Sequence, residues 1–211
     1  MARRGSYAKG VAKREEILTA ALDVIARQGY GRASVRELAD AVGLSQAGLL
    51  HYFSSKEELF AEVLRKRDEV DGAAMGPVRR GDVLAADGFV QTIRHNADVP
   101  GLVQLYARLS SEATEPDHPA RGYFEERYRG LRRMTSQAIR DGQAAGTIRD
   151  DVDADEAASL VLAVADGLQT QWLMDPSIDM AEHVEAFLRL LGRPAADGAA
   201  PAGAGAGRET R

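Results

Sequence analysis

Cysteine is absent from the chain. Its absence excludes disulfide staples, thiolate metal sites and a cysteine nucleophile. Histidine is scarce: His51, His95, His118 and His183 are the four present, and none has a His partner at metal-ligand spacing. The run Asp150, Asp151, Asp153 and Asp155 lacks the regular ligand positions, the Gly turn and the distal Glu of a calcium loop. It reads as a solvated turn capping the helix that follows. There is no Gly-rich phosphate loop, nucleophile elbow or nucleophile–base signature, so nothing points to catalysis, a metal or a cofactor. No apolar run approaches the ~18 to 20 residues that span a bilayer. The basic start MARRGSYAKGVAKREE has no apolar segment behind it, so no signal peptide is read. The expectation is a cytoplasmic chain with no membrane role. Alternating β-branched runs are also missing, and with them any case for a sheet.

What is present is charge asymmetry and helical periodicity. The net charge of −5 conceals a split: Met1 to Arg67 holds 12 Lys/Arg against 8 Asp/Glu, and the remainder 15 against 24. A basic first part, net +4, precedes an acidic body, net −9. That is the pattern of a polyanion-binding module joined to something else, although clustered solvated charges would look the same.

Apolar residues recur at helical spacing almost everywhere. The first helix is expected from Ala12 to Gln28, stopped by Gly29. Ser34 and Glu37 form a capping box for a second helix carrying the stripe Val35, Leu38, Ala39 and Val42. Gly43 breaks it. Ser45 caps a third, short helix to about Tyr52, and Ser54 or Ser55 caps a fourth. The Gly- and Pro-bearing segment GAAMGPVRRG reads as a linker. Helices then follow near Asp82–Asn96, Pro100–Ala113, Pro119–Ala145, Ala154–Met174 and Asp179–Leu191. The expected fold is all-α with about nine helices. Residues 1–11 would be a flexible basic arm, 12–56 a helix-turn-helix unit, 57–192 a helical regulatory and dimerisation unit, and 193–211 a disordered Ala/Gly/Pro-rich tail.

The stretch SVRELADAVGLSQAGLLHYFSSK meets the demands of a helix-turn-helix. Leu38, Ala39, Val42, Leu44 and Leu49 can pack the two helices together, and Gly43 supplies the turn. Gln46 can pair with an adenine edge and Ala47 can meet a thymine methyl, while Gly48 keeps the backbone close. His51 and Tyr52 can donate to phosphates, and Lys56 adds charge at the next helix start. Arg36 can reach a guanine or a phosphate. Solvated surface residues would read the same way, so a helical adaptor that does not bind DNA specifically remains the alternative.

From Arg14 to Val63 the sequence closely resembles the N-terminal domain of the TetR family of transcriptional regulators. The matching set is a helix ending in Gln-Gly-Tyr, a Ser-capped helix, Ala-x-x-x-Gly-Leu-Ser, a short helix ending in Tyr-Phe, and Ser-Lys-Glu-Glu-Leu. The resemblance implies that Gln46, Ala47 and Gly48 face bases and that Arg36 approaches one. It implies that Ser34, Ser45, His51, Tyr52 and Lys56 hold phosphates, with Leu49 and Phe53 in the core. Leu50 stands where the family most often has Tyr; it can touch a thymine methyl or a sugar but cannot hydrogen-bond a phosphate. The basic residues Arg3, Arg4, Lys9, Lys13 and Arg14 could follow the DNA backbone or minor groove, or stay solvated.

The resemblance also implies a second domain that dimerises and encloses a small-molecule cavity. Its partners would be an inverted-repeat operator in double-stranded DNA, a second copy of the chain, and a largely apolar effector whose binding releases a repressor from DNA. Interface candidates on the last two helices are Leu160, Val164, Leu168, Val184, Phe187, Leu188 and Leu191. Candidate ligand contacts are Phe89, Leu105, Tyr106, Leu109, Tyr123, Tyr128, Gln169 and Trp172. Either set would serve equally as protomer core.

Overall fold

A computed structural model of the protein describes residues 2–75 and 84–193. Among them it has nine α-helices, one 3-10 turn and no strand; an isolated bridge pairs Ile148 with Gly192. In chain order they are α1 (Ala2–Gln28), α2 (Val35–Ala41), α3 (Gln46–Leu50), α4 (Lys56–Met75), α5 (Leu84–Asn96), α6 (Pro100–Glu112), α7 (Arg121–Ala144), α8 (Ala154–Met174) and α9 (Met180–Leu191). The 3-10 turn, Tyr30–Arg32, joins α1 to α2.

Local chemistry accounts for most boundaries. Gly29, Gly43 and Gly146 end three helices with positive φ, 83°, 67° and 74°, a conformation that only glycine adopts without strain. Ser34 and Glu37 form the complete capping box of α2, and Ser45 Oγ accepts the Gly48 N–H of α3. Ser55 Oγ accepts the Glu58 N–H at the start of α4. Asp153, within the acidic run, caps α8 by accepting from the N–H groups of Asp155 and Glu156. Pro100 opens α6 at the position where a missing N–H costs nothing.

Two boundaries differ from the sequence reading. Helix α1 begins at Ala2, so the basic start continues the helix instead of forming an irregular arm; no proline interrupts it, and its two glycines oppose helix only weakly. Helix α4 runs past Val70 to Met75, taking in the first residues of the expected linker. The rest of that linker, through Gly81, lies outside the described residues, as does the expected tail from 194 onward.

Three apolar clusters hold the molecule together. The largest joins Ile17, Leu18, Ala21 and Ile25 of α1 with Leu38 and Ala39 of α2, Leu49 of α3 and Leu59, Phe60, Val63 and Leu64 of α4. It continues into Leu102, Leu105, Tyr106 and Leu109 of α6 and Tyr123 and Phe124 of α7. The helix-turn-helix therefore shares one core with α6 and α7. A second cluster packs Val90 and Ile93 of α5 and Val103 of α6 against α8 and α9. Helix α6 thus faces both. A third pins Ile139 of α7 to Ala154, Ala157 and Ala158 of α8.

Candidate nucleic-acid interface

Helix α3 is five residues long, too short to persist alone. It is held by Leu49, fully buried beneath it and worth roughly 1.5 to 3 kcal/mol on burial. Phe53 closes the same core behind it. With Leu49 turned inward, Gln46, Ala47, Leu50 and His51 are exposed, and Gly48 and Tyr52 are half-exposed. Lys56 lies exposed at the first turn of α4, its ammonium 5.3 Å from the Phe60 ring centre. The exposed Arg36 is 3.9 Å from Asp40, a surface pair too weak and too solvated to hold it. Gln46, Ala47, Leu50 and His51 thus share the exposed side of one short helix and its C-cap, with Ser45 at its N-cap.

The two capping serines differ in what they have left to give. Ser34 Oγ accepts the Glu37 N–H and also donates to the Glu37 carboxylate, so its proton is already used. Ser45 Oγ only accepts, from Gly48, and its proton remains available to a phosphate. Two residues of the basic start are structural. Lys13 donates to the Val42 carbonyl at 3.0 Å, tying α1 to the end of α2, and pairs with Glu16. Arg14 pairs with Glu62 and stacks on Phe53 at 4.7 Å. Both thus have intramolecular partners, whereas Lys9 stays exposed.

The predicted ligand contacts do not converge on one apolar pocket. Leu105 and Leu109 are sealed in the core shared with the helix-turn-helix, whereas Phe89 and Trp172 belong to the second cluster. Gln169 is buried in α8. The three tyrosine hydroxyls sit in a network of charges. Tyr123 Oη donates to Asp68 at 2.7 Å, and Arg127 Nε donates to both Asp68 oxygens at 3.2 and 3.0 Å. The Arg127 guanidinium stands 5.1 Å over the Tyr106 ring. Tyr106 Oη lies 3.1 Å from both Tyr128 Oη and Asp166, and Tyr128 Oη donates to Asp166 at 2.6 Å. At the α4 end, Arg67 pairs with Asp71 at 3.5 Å and donates to the buried Asn96 of α5.

Burial raises the pKa of Tyr106 and Tyr123, and nearby carboxylates add to it. Tyr128 is pushed up to about 12, first by burial and then by its bond to Asp166. Burial pulls Arg127 down, but Asp68 and the tyrosines outweigh it and leave its pKa raised. Sequence reading passed over Asp68 and Arg127. The available signal was a charge on an apolar row: Asp68 follows Leu64, and Arg127 follows Tyr123, by one helical turn each.

The interface candidates divide as well. Leu168 and Val184, 8% and 1% exposed, sit in the second cluster and are protomer core. Leu188 packs on that cluster and Leu191 on the third. Leu160 is 57% exposed, with Met174 at 81% and Leu190 at 69% on the same two helices. Val164 and Phe187 are half-buried. Among the described residues no group of acidic or histidine side chains is placed to hold a metal, and no helix is long and apolar enough to cross a membrane.

Residues 17–63 match the family of bacterial regulatory proteins of the TetR type, and residues 103–192 match the C-terminal domain of BetI-type transcriptional repressors. The HTH-type transcriptional repressor KstR2 of Mycobacterium tuberculosis is 32% identical over 152 residues, covering 68% of this chain and 72% of that protein. The HTH-type transcriptional repressor AcnR of Corynebacterium diphtheriae is 30% identical over 174 residues, 82% of this chain and 87% of that one. A transcriptional regulator from Saccharomonospora viridis, solved in complex with choline, superposes with a TM-score of 0.65 at 26% identity, covering 85% of this chain and 96% of that one. The helix-turn-helix and the helices that follow it fall within the matched segments, and the chain belongs to the TetR family of transcriptional regulators.

Proposed function

We propose that this chain acts as a homodimeric repressor that reads an inverted-repeat operator and leaves it when a small molecule binds the C-terminal domain. The observation that carries the reading is helix α3, whose exposed face holds Gln46, Ala47, Leu50 and His51 while Leu49 anchors it from below. Gln46, Ala47 and Gly48 would meet bases, with Arg36 approaching from α2. Ser45, His51, Tyr52 and Lys56 would grip phosphates, and Ser34, whose hydroxyl and N–H both go to Glu37, would join them by exchanging that bond for a phosphate. In this reading residues 12–56 read DNA and residues 57–192 regulate.

One five-residue helix reads few base pairs, so useful specificity needs two, about 34 Å apart. The exposed Leu160, Met174 and Leu190 supply the apolar surface for a second copy, flanked by Val164 and Phe187. An effector shifts DNA affinity only by binding one arrangement of the dimer better than the other. The choline complex of the Saccharomonospora viridis regulator supports a small-molecule input. No turnover of the effector is expected.

The test is selection of fragmented host genomic DNA on the purified protein at moderate salt, repeated with Gln46→Ala and Lys56→Ala. Enrichment of one inverted repeat is expected, with Gln46→Ala relaxing the preferred sequence and Lys56→Ala weakening all sequences alike. Retention without sequence preference, or none at low salt with and without candidate effectors, would leave the helical adaptor as the better reading.

A further inference from the structure

The major groove of B-DNA is lined with hydrogen-bonding groups and carries one apolar feature, the C5-methyl of thymine. Helix α3 has an apolar feature to match. Its residues, Gln46, Ala47, Gly48, Leu49 and Leu50, carry no formal charge. Charge for the phosphates stands off the helix, on Lys56 at the first turn of α4. Leu49 is fully buried, while Leu50, the next residue, is 39% exposed. Among the described residues of 12–56 it is the one large apolar side chain left exposed. It follows Gln46 by four positions and Ala47 by three, the spacings that put side chains on one side of a helix, and both of those are exposed too. Helix α3 thus turns outward one amide, one methyl and one isobutyl group. The isobutyl group can neither donate nor accept a hydrogen bond, so it gains nothing from a phosphate and most from apolar surface that covers it. Gln46 and Leu50 lie about 6 Å apart along the helix axis, less than two base steps of ~3.4 Å, so both reach the same short run of base pairs.

Resting on the DNA-reading proposal above, we infer that Leu50 is a specificity-determining residue: with the Ala47 methyl one turn before it, it reads the C5-methyl of one thymine in each half-site, in the same short run as the adenine that Gln46 takes. The contact separates thymine from uracil, whose hydrogen-bonding groups in the groove are the same. Covering one methyl is worth about fourfold in affinity, so a dimer using both half-sites discriminates by about fifteenfold.

The selected operator is made as synthetic duplexes in which each half-site thymine is replaced in turn by deoxyuridine, symmetrically in both halves. Uracil keeps the base pairing and removes only the methyl. Full-length protein is titrated against each duplex by fluorescence anisotropy at fixed salt. Wild type is expected to lose about fifteenfold at one thymine position, which is invariant among the selected sequences. Leu50→Ala should bind the thymine and uracil duplexes alike at that position. Leu50→Asn, of similar shape but with polar ends, should do the same. Gln46→Ala, weaker throughout, should keep the uracil effect. Circular dichroism checks that the variants fold. A uracil effect of equal size in wild type and in both Leu50 variants assigns the methyl to another residue and overturns the inference. So does an affinity unchanged by uracil at every position, or an operator with no thymine in its half-sites. In each of these outcomes the protein still selects its operator, and the DNA-reading proposal stands. A protein that selects no operator fails that proposal first, and this inference with it.

Discussion

Replacing Gly101 with alanine tests how the DNA-reading helices are fastened to the rest of the chain. Gly101 is in the first turn of α6, where that helix crosses the end of α1. A Cβ added there would lie 2.2 Å from the Ile25 carbonyl oxygen, 2.7 Å from Gly29 Cα and 3.2 Å from Tyr30 N. All three are backbone atoms, so no side chain can swing aside. Relief requires α6 to move away from α1 by about 1 Å, at the helix crossing that holds the helix-turn-helix in place. Overpacking of this kind costs about 1 to 3 kcal/mol, and a backbone obstacle puts it at the upper end. The helix-propensity gain from Gly to Ala, at most about 1 kcal/mol, does not offset it. In a domain of this size each kcal/mol moves Tm by about 2 to 4 °C, so a fall of roughly 6 to 12 °C is expected in thermal denaturation. Gly122→Ala on α7 is the control: nothing lies within 4 Å of its added Cβ, so Tm should hold or rise. A Gly101→Ala protein as stable as wild type would refute the account of this contact.

Other outcomes follow from the same contacts. Ser45→Ala removes the acceptor for the Gly48 N–H and should cost about 1 kcal/mol by chemical denaturation, with weakened DNA binding as α3 frays. Leu160→Glu should yield monomers in light scattering and lower Tm only by the association it removes, because this side chain is 57% exposed in the protomer. Val184→Ala, 1% exposed, should instead lower stability by about 2 kcal/mol and leave the association state alone. Tyr106, Tyr123 and Tyr128 have folded pKa values raised above the ordinary 10.0. Their folded state holds protons that the unfolded chain loses, so their contribution is complete below pH 10 and falls as pH rises through 10 and beyond. Tyrosinate absorbance from these residues should appear together with loss of helix. Phenolates forming near pH 10 while the helix signal stays intact would count against the buried network.

Sequence alone determined the features whose cause is local. The Ser34–Glu37 box, the Ser45 cap and the Gly29, Gly43 and Gly146 stops each depend on residues within a few positions of one another. That is why the helix-turn-helix and most helix ends were legible. The burial of Leu49, and hence the outward aim of Gln46 and His51, followed from helical spacing against Leu38 and Ala39. Tertiary structure decided what lies between helices. Periodicity identifies an apolar stripe but not whether its own chain or a second copy covers it, so Leu160 and Leu168 looked equivalent until packing buried one and exposed the other. Likewise, nothing local distinguished Leu105, enclosed beneath the DNA-reading unit, from Tyr106, its neighbour in sequence, whose hydroxyl reaches Asp166 sixty residues away. Asp68, Arg127 and Asp166 become one network only when α4, α7 and α8 converge, because a buried charge is stabilised by whichever partner the packing brings within reach.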